Sequence, residues 1–144
     1  MTKLSKKLSA NFSLYEFVCG CGCGYDDIDL KFVDKLQCLR DLIEKPIVVT
    51  SGCRCHDYNR HIGGVINSPH LDGLAADIQV EGMTPVTLAI IANRINYIRI
   101  GIYPVHLHID IKPPLPSKYW IVKKGKYIYS GKENDLNKFL KKNL

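Results

Sequence analysis

The chain has 144 residues, 46% apolar and 24% charged, a size and composition that fit one ordinary globular domain and exclude disorder, collagen-like repeats and coiled coil. No apolar run approaches the ~20 residues that cross a membrane, and the lysines within Met1–Ala10 have no apolar segment behind them, unlike a Sec-type signal peptide. The formal net charge of +6 is lopsided: residues 112–144 carry nine Lys and two acids, whereas residues 1–111 carry eleven Lys or Arg and twelve acids. A lysine-rich tail suits a solvated face or an anionic partner, whether nucleic acid, membrane surface or cell-wall polymer. Its lack of arginine argues against specific base reading.

Ser13-Leu-Tyr-Glu16 fits a capping box, so a short helix is expected there. Cys19-Gly-Cys-Gly-Cys-Gly24 alternates glycine and is expected to be irregular. From Asp29, the residues Phe32, Val33, Leu36, Leu39 and Ile43 recur at helical spacing, a stripe that ends before Pro46. Ile47–Thr50 reads as a short buried strand. Residues 51–72 read as loop, with Gly63-Gly64 inside. Leu74–Val80 reads as a strand with Asp77 and Gln79 on one face. Thr84-Pro85 opens a helix to about Asn96, with proline at its first position. Ile98–Ile102 and Val105–Ile111 read as two strands, and Pro113–Pro116 breaks the chain. Tyr119–Val122 and Tyr127–Ser130 flank Lys-Lys-Gly-Lys as a hairpin, and Glu133–Lys142 reads as a basic helix. Helices and strands mix without a regular alternation. The expectation is an α+β fold, one domain over residues 1–144, with a small, mostly antiparallel sheet and flanking helices.

Histidine placement carries the chemistry. Of five histidines, His56 and His61 have no metal-competent context. His70 precedes Asp77 by seven residues, with small residues between that let a loop fold back, so imidazole and carboxylate can converge on one ion. Val105-His-Leu-His-Ile-Asp110 puts His106, His108 and Asp110 on one face of a strand. Val105, Leu107, Ile109 and Ile111 then fall on the opposite, buried face. Three such polar groups on an apolar strand are costly unless they have partners. Two histidines, one carboxylate and a free position are the pattern of a catalytic zinc site, and no His-Glu-x-x-His helix competes with it.

Ser68-x-His70-x-x-Gly73-x-Ala75-x-Asp77 resembles the signature of the zinc D-alanyl-D-alanine carboxypeptidase family, which includes phage endolysins cutting L-alanyl-D-glutamate bonds. Thr50-Ser-Gly-Cys-Arg54 and Asn59 with Gly63-Gly64 resemble further segments of the family, and Gly101-Ile-Tyr-Pro104 with His108-Ile-Asp110 resembles the last motif of its phage-type branch, over about residues 12–115. The resemblance implies the compact fold shared with hedgehog domains and lysostaphin-type peptidases. It also implies His70, Asp77 and His108 as zinc ligands. Many members carry Glu three residues before the last ligand, where this chain has Val105. The expected replacements are Asp110 as acid/base and His106 as stabiliser of the transition state, or the reverse. A partner that fixes a ligand imidazole is the other reading of Asp110. Arg54 is expected to fork onto a substrate carboxylate, and Ser68 to bind substrate, support the ligand shell or cap its turn.

Six cysteines lie within the first 55 residues. Three readings stand: a second, structural zinc held by four of Cys19, Cys21, Cys23, Cys53 and Cys55; disulfides formed after release; or free thiols, Cys38 above all. The function expected is a zinc peptidase on bacterial peptidoglycan stem peptides. It would be a monomer with no specific nucleic-acid partner, made in the cytoplasm and acting on the cell wall after phage-type release or as a virion component. The alternative is a non-catalytic zinc-binding domain of the same fold, structural in a virion or adhesive.

Overall fold

A computed structural model describes residues 5–113 and 117–144. It has the expected α+β architecture: four α-helices and a six-stranded mixed sheet. The first helices form where their caps require. Glu16 accepts the Ser13 backbone N–H at 2.7 Å and opens a 3-10 turn, Leu14–Phe17. Asp29 accepts the N–H groups of Lys31 and Phe32, satisfying two of the free donors at the start of α1, Leu30–Ile43. The α1 stripe Phe32, Val33, Leu36 and Leu39 is buried, each residue stabilising by about 1.5–3 kcal/mol if fully desolvated.

Residues 51–72 depart from the expected loop. They contain α2, His56–His61, and a 3-10 turn, Pro69–Asp72. The cap of α2 is a sulfur: Cys55 Sγ accepts the Tyr58 N–H. Asn59 alone in α2 is buried, so the segment has no apolar stripe to betray a helix. The helix α3, Pro85–Ala92, stops short of Asn96, and α4, Leu136–Asn143, starts at Asp135 rather than Glu133. The Pro113–Pro116 break lies largely outside the described residues, which omit 114–116.

The strands are β1 (Val48–Ser51), β2 (Ala75–Gln79), β3 (Arg99–Ile102), β4 (Leu107–Asp110), β5 (Tyr119–Lys123) and β6 (Lys126–Tyr129). Their order is β1-β2-β4-β3-β5-β6. All neighbours are antiparallel except β3 and β5. The β5–β6 turn has Lys124 and Gly125 at positive φ, 49° and 75°, as a two-residue hairpin with the right twist needs.

Strand β4 is buried on both faces. Leu107 and Ile109 join Ile78, Ile100, Ile121, Phe32 and Leu36 in the apolar core. The other face carries His108 and Asp110. Val105 falls outside the strand and is 69% exposed, so the apolar face begins at Leu107, not at 105. The register lines up one row across the sheet: Ser51 opposite Asp77, Asp77 opposite His108, His108 opposite Gly101, Gly101 beside Trp120, and Trp120 opposite Tyr129. Gly101 is required in that row, because a Cβ there would stand 2.4–2.6 Å from the Trp120 ring.

Trp120 is the single tryptophan of the chain, which makes the row measurable. Gly101→Ala is expected to displace the indole, shifting tryptophan emission and lowering the unfolding midpoint. An unchanged spectrum and midpoint would show that the indole does not lie over residue 101.

Candidate metal centre

His70 reaches the row from the 3-10 turn. Ser68 caps that turn, its Oγ accepting the His70 N–H at 3.2 Å. Gly73 ends it at φ 67°, and a Cβ there would meet the Asp27 carbonyl oxygen at 2.0 Å. The chain then enters β2 with Asp77 two pleats on, so the seven-residue spacing is one turn plus half a strand. His70 Nδ1 lies 2.7 Å from the Gly52 carbonyl oxygen. A carbonyl only accepts, so Nδ1 carries the proton and Nε2 presents its lone pair, 3.2 Å from Asp77 Oδ1. Burial pushes the His70 pKa down, which keeps the ring neutral.

His108 is held from its other side. Its Nε2 lies 2.7 Å from Asp110 Oδ2, and its Nδ1 lies 3.0 Å from Asp77 Oδ1. Burial alone would lower its pKa, but the bonds to Asp110 and Asp77 outweigh this and carry it up to about 9. For Asp77, burial would raise the pKa, and the bond from His108 reverses that and holds it well below the usual carboxylate range. His70, Asp77 and His108 are all buried, and each offers a ligand atom within 4.8 Å of the other two. Two neutral-capable imidazoles and one carboxylate are donors that zinc prefers. Each histidine has its second nitrogen engaged, which turns the first toward the shared point. The group therefore fits a zinc ion.

Asp110 is not beside the open position. It sits behind the His108 ring, 0% exposed, and accepts from Arg99 Nε at 2.8 Å, Arg99 Nη2 at 2.9 Å and the Lys112 N–H at 3.0 Å as well as from His108. Sequence spacing puts Asp110 on the right face of β4 but not on the right side of the imidazole. His106 does reach the open side. Its Nε2 is 3.7 Å from Asp77 Oδ2, its side chain is 24% exposed, and its ring stacks on Tyr103 at 4.4 Å. Burial lowers its pKa.

Arg54 is bonded within the protein. Its Nη2 donates to Asp77 Oδ2 at 2.8 Å, its Nε to Ser51 Oγ at 2.9 Å and its Nη1 to Asn59 Oδ1 at 3.3 Å. Ser68 is buried as a turn cap. His56 and His61 are exposed on α2 and stand apart from the group. Among the described residues no buried side-chain nitrogen or oxygen lacks a partner, so the cost of burying these polar groups is offset throughout.

The centre forms one side of a cavity of about 390 Å³, lined also by Val65, Ile66, Tyr103, Trp120, Tyr127 and Tyr129. The Trp120 ring lies 5.1 Å from that of His108, and Tyr127 and Tyr129 stack at 6.1 Å. These aromatics are absent from the expected site. Their only sequence signal is the two-residue spacing of Tyr127 and Tyr129 on one strand face.

The cysteines separate into groups. The sulfurs of Cys19, Cys21, Cys23 and Cys55 all lie within 4.8 Å of one another. Cys53 is buried in the apolar core, and Cys38 is exposed on α1. Burial drives the Cys53 thiol up to about 12. None of the six is joined in a disulfide.

A family model described as Peptidase M15 matches residues 10–112. The chain belongs to that family. M15 peptidases are zinc-dependent, and His70, Asp77 and His108 form a group that could hold such an ion. The match ends before β5, so Trp120, Tyr127 and Tyr129 lie beyond it. No curated protein matches the chain. Among the described residues, no helix is long and apolar enough to cross a membrane.

Zinc titration is expected to change the emission of Trp120, which packs on His108, and His70→Ala is expected to abolish that change. Asp110→Asn should weaken this response by about 10–100-fold in affinity, the usual cost of losing a group that orients a ligand imidazole. Unaltered affinity in Asp110→Asn would contradict that placement.

Proposed function

We propose that the protein is a zinc peptidase that hydrolyses bacterial peptidoglycan stem peptides, as a D-Ala-D-Ala carboxypeptidase or an endolysin-type endopeptidase. The observation that carries the peptidase reading is the convergence of His70, Asp77 and His108 at an open cavity with His106 beside them. The peptidoglycan reading is supported by the resemblance of Ser68–Asp77 to the carboxypeptidase family signature and of Gly101–Pro104 with His108–Asp110 to its phage-type branch. A cavity with an arginine and an aromatic wall also suits a peptide rich in carboxylates and short side chains.

When bound, zinc supplies Lewis acidity toward the scissile carbonyl and the attacking water. The chain supplies the rest. Asp110 accepts the His108 Nε2–H, which keeps Nδ1 free of a proton and aimed at the metal position. His106, made less basic by burial, accepts a proton from water at Nε2 and returns it to the leaving amine. Of the two assignments the sequence leaves open, this is the one with His106 as acid/base. Arg54 commits three of its five N–H donors to protein. The remaining two are free for a substrate carboxylate or the developing oxyanion in the cavity that Arg54 lines. Trp120, Tyr127 and Tyr129 hold the peptide against this machinery. Acting on the wall, the protein would work after release from the cytoplasm or from a virion.

Val105, standing where many relatives carry Glu, favours the second reading of a non-catalytic zinc-binding domain. Release of amino groups from purified peptidoglycan separates the two. The zinc-loaded protein is expected to release them and to stop when chelator is added. His106→Ala should keep the metal and lose about 10²–10⁴-fold in kcat, the range for a general acid–base. No chelator-sensitive release by zinc-loaded wild type would support the binding domain instead. Full turnover in His106→Ala would remove His106 from the chemistry.

A further inference from the structure

Cys19-Gly-Cys-Gly-Cys-Gly24 has no part in the proposed reaction, yet it is built with care. Gly22 and Gly24 take positive φ, 84° and 89°, which bends the loop between Cys21 and Cys23 and again after Cys23. The Cys19 N–H donates to the Tyr25 carbonyl oxygen at 2.8 Å and closes the loop at its base. The loop thereby brings three sulfurs to the start of α2, where Cys55 waits as the N-cap. The Cys19–Cys21 and Cys21–Cys55 sulfur separations are 3.5 and 3.7 Å. A tetrahedral zinc with about 2.3 Å bonds to sulfur separates its ligands by about 3.8 Å, so the four sulfurs stand at the spacing of one ion.

A second observation is independent of spacing. Every one of the four sulfurs accepts a backbone N–H: Cys19 from Cys55, Cys21 from Cys23, Cys23 from Tyr25 and Cys55 from Tyr58, each at 3.4 Å. Thiols gain little from such donors, whereas thiolates gain charge-assisted bonds, and metal-bound thiolates are oriented by them. Cys53 and Cys38 lack this arrangement: one is core and the other is an exposed helix residue.

We propose that Cys19, Cys21, Cys23 and Cys55 hold a second zinc ion, closed by four thiolates and structural rather than catalytic. On binding, the four thiols release their protons to solvent, and no oxidant or reductant is involved. The ion joins the N-terminal loop to the strip Gly52–Cys55. That strip supplies the Gly52 carbonyl that fixes His70 Nδ1 and the Arg54 guanidinium that meets Asp77. Between them, the Cys53 N–H donates to the Phe17 carbonyl oxygen at 2.8 Å, so the ion would lock one side of a contact the backbone already makes. The second zinc is therefore a positioning device for the first site, placed outside the cavity.

The test uses the full chain, purified under reductant with zinc. Metal content is measured for wild type, His70→Ala and Cys21→Ser/Cys23→Ser. Cysteine alkylation is mapped by mass with and without chelator. His70→Ala is expected to retain about one zinc per chain, because the thiolate site does not need His70. The double serine variant is expected to lose the ion held by the cysteines. In wild type, zinc should protect Cys19, Cys21, Cys23 and Cys55 from alkylation, while Cys38 reacts in both states. The proposal is overturned by His70→Ala without zinc, by equal alkylation of the four thiols with and without chelator, or by a mass two hydrogens light from a disulfide among them. Because the readout is taken on a chain without His70, it stands or falls separately from the peptidase reading.

Discussion

The site depends on one register. Strand β2 lies antiparallel to β4 so that Asp77 faces His108 across the ladder. A one-residue slip of either strand would turn its own side chain, Asp77 or His108, into the apolar core. The register is secured from that core, where Ile78, Leu107 and Ile109 are buried and a slip would expose them. Asp77 then becomes the hub for His70, His108 and Arg54. A carboxylate this buried needs those partners. Breaking a buried pair by removing one member costs about 3–5 kcal/mol, so the centre is stable as a whole or strained as a whole.

Strand β4 does two jobs at once. Its inward face contributes Leu107 and Ile109 to the core, and its other face contributes His108 and Asp110 to the centre. Rigid placement of the imidazole follows, because the backbone that carries it is paired on both edges, by β2 and β3. The functional groups that need less precision sit elsewhere. His106 precedes the strand, and the aromatic wall comes from the β5–β6 hairpin, joined through the parallel β3–β5 pairing.

Much of this was legible in the amino-acid order, and the reasons for the rest are physical. Local rules found α1 through Asp29 and its stripe, and the hairpin through Lys124-Gly125. Period two found the polar face of β4. The spacing of His70 and Asp77 across small residues found their convergence. Spacing along a strand does not say which ring nitrogen a neighbour takes, so it leaves Asp110 open between acid/base and partner of a ligand imidazole, and the fold places it against Nε2 of His108. The α2 helix was missed because its cap is a sulfur and it buries one polar residue rather than a stripe. Alternation along Cys53-Arg54-Cys55 would put both sulfurs on one side; the chain is irregular after β1, so Cys53 enters the core while Cys55 caps α2, and only the surrounding fold separates them. The engagement of Arg54 and the aromatic wall arise from long-range pairing that no local pattern encodes.

The account rests on three distant side chains meeting about one ion, and crystallography measures that directly. A crystal of the zinc-loaded protein, recorded on both sides of the zinc absorption edge, is expected to show an anomalous peak bounded by His70 Nε2, an Asp77 carboxylate oxygen and His108 Nδ1. Zinc-loaded crystals with no such peak, and with those two imidazoles turned away from Asp77, would contradict it.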